Sequence, residues 1–412
     1  MNQVIFDKTK EIKKFMTMDI MFCFAVFVCC YQNVVRSYNT TMLALSYEYG
    51  FTSRSLLGTI YHVLDAVLPL EMMDYGVVLH FAQIVTGLFF LFLMYFSYIC
   101  LKHCKEEAFG ATEFVLFSLD IVTVATFSSA YNFFRVDLFM MLVAMICALL
   151  LVNKKAEWLV IPMSCIGVMF HQGFVFMYFN VALVLLLYLF LSSDKKGKVK
   201  YGIIFAVSFL AGSALFLWFE FFSRTNGAAI IDQVVADARA VSFEGKYHST
   251  LLAHEVLGVD LSGDESEWHK MNILQMGCFV VLMLPYLMIF IRFFKGLFKK
   301  AATAVDKWKY FFVLAGACTM LPDFLLKIDY GRWVMAVVAY YTIVLVALVV
   351  LGDQGIRAQL SETYDYYKNK AWGFLLLLYP IMLVPLGDVD INGFVQQISA
   401  WLNANVLDWY HF

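Results

Sequence analysis

Apolar runs long enough to cross a bilayer recur from about residue 16 to residue 387, and polar segments cut them apart. A helix of roughly 20 residues spans the hydrocarbon layer, and inside lipid every backbone polar group must bond within the chain. The pattern therefore predicts an all-α, polytopic membrane protein. Composition agrees, with 62% hydrophobic and 15% charged residues and a mean hydropathy of +0.74. A soluble domain does not carry that balance.

The predicted spans cover residues 16–35, 76–100, 113–128, 136–152, 158–191, 201–222, 271–291, 310–321, 334–351 and 371–387. The run 158–191 is too long for one helix and divides at Phe170-His171-Gln172-Gly173, which makes about 11 transmembrane helices. Residues 16–35 read as a first anchor, because basic residues precede them and no small-residue cleavage site follows. The whole chain, 1–412, forms one integral membrane domain with three further features. Segment 36–75 carries an amphipathic helix over Ser53–Leu70, 223–270 is a large outer loop, and 388–412 is an interfacial C-terminal helix.

Charge sets the orientation. With the N-terminus cytoplasmic, the inner segments hold 21 of the 30 Lys and Arg residues, and the C-terminus is extracytoplasmic. The two cations do not divide alike. Nineteen of 22 lysines fall inside, whereas six of eight arginines fall outside: Arg36, Arg54, Arg135, Arg224, Arg239 and Arg332. Any positive group satisfies topology. Guanidinium is planar, permanently charged and matched to bidentate binding of phosphate or carboxylate. The outer arginines are thus either headgroup anchors or a site for an anionic ligand.

Three polar breaks look alike. Phe133-Phe134-Arg135-Val136-Asp137, His171-Gln172-Gly173 and Tyr330-Gly331-Arg332-Trp333 each stand at an expected outer helix start, where backbone N–H groups favour an anion. The last lies in Pro322–Trp333, with Asp323, Lys327 and Asp329 beside Arg332. This stretch reads as a snorkelling turn or as a site. Arg54, Gly58, His62 and Asp65 share one helical face, either solvated or with Arg54 on a phosphate and Glu48 or Asp65 near a sugar hydroxyl. His171 is a packing residue or a general base. His80 and Asp120 read as structural polar contacts inside spans.

Other chemistries find little support. The nine cysteines form no CxxC pair, and loop 223–270, with Arg239, His248, His254 and Glu255, shows no metal-ligand spacing. No metal site, cofactor or nucleic-acid partner is indicated. The absence of a P-loop argues against an ATP-driven transporter, and no inner segment is large enough for a nucleotide-sugar domain.

The Arg135-initiated span, the pair broken at Phe170-His171-Gln172-Gly173 and the late Gly331-Arg332 start resemble the oligosaccharide repeat-unit polymerases of bacterial surface polysaccharides, the O-antigen polymerase-like group with its EpsG-like branch. The resemblance covers residues 16–352 in organisation, and Tyr47–Gly58 stands where that branch has a Gly/Asp/Tyr-rich segment. It implies a multi-pass cell-membrane glycosyltransferase. Its substrate would be a polyprenyl-pyrophosphate-linked glycan at the outer leaflet, and its surroundings membrane lipid and other polysaccharide-assembly proteins. Arg54, Arg135, Arg239, Lys327 and Arg332 would bind substrate, and His171, Glu48 or Asp323 would accept a proton. A flippase for lipid-linked glycans and a membrane acyltransferase are the alternatives. The lysine-rich inner face has no arginine set to match the outer one, and His171 is expected on the side away from acyl-CoA.

Overall fold

The structure, a computed structural model, describes residues 6–223, 227–258, 266–326, 329–379, 384–387 and 390–409. Among these, every regular element is helical. In chain order they are α1 (Lys8–Cys30), α2 (Ser37–Thr41), α3 (Ser55–Val67), α4 (Tyr75–His103), α5 (Phe109–Ser128), α6 (Val136–Asn153), α7 (Val160–Phe170), α8 (Phe174–Met177), α9 (Phe179–Ser192) and α10 (Lys195–Leu217). The chain continues with α11 (Gly227–Ala240), α12 (Ser249–Leu252), α13 (Ser266–Lys300), α14 (Ala304–Ala315), α15 (Leu321–Leu326), α16 (Tyr330–Leu351), α17 (Gln354–Lys368), α18 (Ala371–Leu378) and α19 (Gly393–Leu402).

Among the described residues six helical stretches are long and apolar enough to cross a membrane: Tyr75–His103, Glu106–Ser128, Val136–Asn153, Lys195–Phe222, Lys270–Lys300 and Tyr330–Leu351. This is the composition of a helical membrane protein. Each remaining expected span coincides with a helix too short or too charged to qualify. In α1 the obstacle is charge, with Lys13, Lys14 and Asp19 in its middle; α7, α9, α14 and α18 are short.

Local chemistry sets the helix starts. Asp7, Asp194 and Asp353 accept backbone N–H groups at the starts of α1, α10 and α17. Thr303 and Asp306 form a reciprocal capping box at α14. Each satisfies donors the first turn would leave orphaned.

Helix α16 is the centre of the bundle, packed against α4, α5, α6, α9 and α17. It is apolar all round, which suits burial on every side, and its buried residues run from Tyr330 to Val349. On α10 and α13, by contrast, Leu210 and Val281 face outwards. The Ser53–Leu70 amphipathic stretch forms α3, and 223–270 is largely helical where described. In α19, Val395 and Ser399 turn inward, while Phe394 and Trp401 stay exposed.

Two local expectations need correction. His171-Gln172-Gly173 does not open a long helix. His171 ends α7, only the four-residue α8 follows, and α9 starts at Phe179. The face bearing Gly58 is neither solvated nor open, because a Cβ on Gly58 would stand 1.8 Å from the Leu45 carbonyl oxygen.

Candidate functional site

Three arginines from distant parts of the chain meet at one end of the bundle. Arg135 is the N-cap of α6, and the turn before it carries Phe134 at φ +60°, a conformation bulky residues rarely adopt. Buried packing of Phe134 against Phe81 and Phe139 holds that turn. Arg54 takes the equivalent place before α3, itself at φ +66°. Arg332 lies in the first turn of α16, which begins at Tyr330, four residues earlier than the apolar run suggests.

Asp137 joins two of them. Arg332 Nε donates to both of its carboxylate oxygens, at 3.0 and 3.1 Å, and Arg135 Nε lies 3.1 Å from Asp137 Oδ2. Asp329, the N-cap of α16, pairs with Arg332 Nη1 and lies 3.8 Å from Arg135 Nη2. Arg54 Nη1 pairs with Glu255 Oε1 at 2.8 Å, and His254 Nδ1 lies 3.1 Å from the same oxygen. The Arg135 guanidinium also sits over the Tyr38 ring, 5.1 Å from its centroid, a favourable cation–π contact.

Among the described residues three arginines meet three carboxylates, so the network is not the purely cationic cradle that the arginines alone suggest. The carboxylates differ in access. Side-chain exposure is 5% for Asp137, 6% for Glu255 and 28% for Asp329. Burial alone would raise the Asp329 carboxyl, but the charges of Arg332, Arg135 and Arg54 outweigh it and hold the group below the usual carboxylate range. Under the network lies a cavity of about 10 Å³, the size of one water, lined by Asn132, Asp137, Tyr178, Arg332 and Gly387 among others. Among the described residues the buried Tyr178 hydroxyl has no hydrogen-bond partner.

The C-terminal segment closes this end. Asn132 Nδ2 donates to the Leu386 carbonyl at 2.9 Å. A Cβ on Gly331 would stand 2.5 Å from the carbonyl oxygens of both Gly387 and Asp390, so only glycine permits the approach.

The other expected site residues divide. His171 is buried, and its Nδ1 accepts the Gly173 N–H at 2.8 Å. That contact assigns the ring proton to Nε2 and makes His171 a donor rather than a base. Gln172 Oε1 accepts from Ser53 Oγ, which brings this turn beside Arg54. Glu48 stays outside the network, 70% exposed and 3.8 Å from His62 Nδ1. Asp65 accepts the Met72 N–H at 3.1 Å. Asp323 is half-buried on α15. Arg239 is exposed on α11 over Tyr247, apart from the cluster. Lys327 and Arg224 lie outside the described residues.

Sequence reasoning missed Tyr38, Tyr178 and the double role of Asp137. A signal for the last existed: an acid two residues after Arg135, in the first turn of an apolar helix, needs a buried cation. Glu255 gave no comparable signal. Among the described residues, no three His, Cys, Asp or Glu side chains converge as a metal site.

An apolar groove of about 490 Å³ runs between α1 and α4. Ile20, Phe24, Phe27, Phe90 and Leu91 line it, and it ends at Tyr31, Gln83 and Phe133. Phe133 precedes Arg135 by two residues. The chain matches no family model, no curated protein and no solved structure in the comparisons made.

Proposed function

We propose that this chain is a multi-pass cell-membrane glycosyltransferase that joins polyprenyl-pyrophosphate-linked oligosaccharide repeat units at the outer face. The observation that carries this reading is the meeting of Arg54, Arg135 and Arg332 beside an apolar groove. In it the chain crosses the membrane about 11 times, with the arginine end outside and the N-terminus in the cytoplasm. Phosphate is the anion that such guanidinium sets bind best.

The pyrophosphate enters where Asp329 now sits. Asp329 is the most exposed of the three carboxylates, and its contact with Arg135 is the longest in the network. The incoming anion takes over that contact while Asp137 keeps Arg135 and Arg332 aligned. The prenyl chain lies in the groove, whose end at Phe133 leads to Arg135. As the acceptor hydroxyl attacks the sugar carbon, the bond to pyrophosphate breaks, and the arginines stabilise the charge that develops on the leaving group. His171 donates from Nε2, and Asp323, on the helix before Asp329, accepts the hydroxyl proton.

Purified protein incubated with a lipid-linked repeat unit should produce a ladder of longer glycans. Movement of the substrate between leaflets without growth would refute the polymerase reading. Arg332→Lys keeps the charge but loses the planar fork, and should cut elongation about a hundredfold at unchanged expression. Full activity in that variant removes the phosphate-binding argument.

A further inference from the structure

Away from the arginine end, two carboxyls meet inside the bundle. Asp19 lies on α1 and Asp120 on α5, helices packed along one another, and both side chains are fully buried. The two carboxyls face one another across that contact. Ser97 of α4 donates to Asp120 Oδ2 at 2.7 Å, and Cys23 of α1 donates to Asp19 Oδ1 at 3.7 Å. The two remaining oxygens, Asp19 Oδ2 and Asp120 Oδ1, receive no donor from any other described side chain.

The titratable groups facing the pair are Cys23 from α1 and Cys100 from α4. No charged side chain of α16 or α17, which also pack on α5, contributes to it. Among the described residues neither carboxyl has a cationic partner. Two ionised carboxylates have no hydrogen to place between them, and like charges in a buried site cannot both persist. A single proton removes both difficulties.

We propose that Asp19 and Asp120 form a proton-binding site in the bundle interior and hold one proton between them. It has a route to its surroundings. Ile20 and Cys23 line the apolar groove, so the pair lies one side chain behind the groove wall. A molecule in the groove touches the thiol that donates to Asp19. The inference is independent of the glycosyltransferase reading, since a proton site behind a lipid groove suits any membrane activity.

Infrared spectra of the purified wild-type protein should show a protonated carboxylic acid signal at neutral pH, shifted in heavy water and absent from the Asp19→Asn/Asp120→Asn double variant. Wild-type thermal stability should fall as pH rises above the ordinary carboxylate range, where the unfolded chain releases the proton that the folded pair retains, and each single amide variant, carrying a permanent donor, should flatten that slope. A wild-type spectrum without the signal overturns the proposal. So does a sodium titration at fixed pH that stabilises wild type but neither variant, which would make the pair a cation site. Because the spectrum is taken on wild type, a variant that folds poorly does not shelter the idea.

Discussion

The arginine network and the Asp19–Asp120 pair bury charge in the same bundle by opposite means. At the arginine end, each carboxylate meets a guanidinium, and Asp137 and Asp329 each meet two. Between α1 and α5, the carboxyls meet only each other, a hydroxyl and a thiol. Attraction between ions grows as water is excluded, but so does the cost of removing each ion from water. The network meets that cost by pairing with cations, the inner site by taking up a proton that halves its charge. Pairing leaves full charges fixed in place, ready for an anion. A shared proton leaves a site with one net negative charge, whose state follows pH.

Asp137→Ala should break this contrast most strongly. It removes the carboxylate that two buried guanidiniums share, and the expected loss is about 3–5 kcal/mol in unfolding experiments. The same treatment of the inner site through Asp120→Asn should cost about 1 kcal/mol or less at neutral pH, because the amide supplies the donor that the shared proton supplied. Equal losses from the two changes would erase the distinction.

Gly331→Ala comes next, at about 1–3 kcal/mol, because its methyl meets two backbone carbonyls that cannot swing aside. Thermal unfolding with and without an added pyrophosphate compound should show the damage at the arginine end.

Acid titration gives the smallest effect and sharpens the comparison. Asp329 ionises lower in the folded protein than in the unfolded chain. Its stabilising share is therefore complete above the unfolded value and is lost as pH falls through the folded one. Asp329→Asn should flatten the acid side of the stability profile and leave the alkaline side unchanged. The amide variants of Asp19 and Asp120 should instead flatten the fall in stability that begins as pH rises above the ordinary carboxylate range.

Apolar run length predicts the helices well, because lipid leaves the backbone no other partner. It fails where packing decides. The run 310–321 breaks at Ala315 into a 3-10 turn over Gly316–Met320, and the run from Val334 extends back to Tyr330. The lysine–arginine split marks Arg54, Arg135 and Arg332, and these three converge. The same count includes Arg239, which stacks on Tyr247 elsewhere, since a charge tally carries no distance information. Asp19 and Asp120 lie 101 positions apart, and neither shows which helix faces it. The Arg54–Glu255 pair spans a still longer stretch of chain and has no local pattern to betray it.

The close fit of Gly331 beneath Gly387 and Asp390 bears on biogenesis. A nascent chain halted before residue 386 already contains α5, α6 and α16 but lacks the carbonyls that cover Gly331 and hold Asn132. Arg332 must therefore meet Asp137 and Asp329 while the segment that covers Gly331 is still to be made. The arginine end is completed after translation of the last apolar segment, so a fault in late insertion would be felt there first.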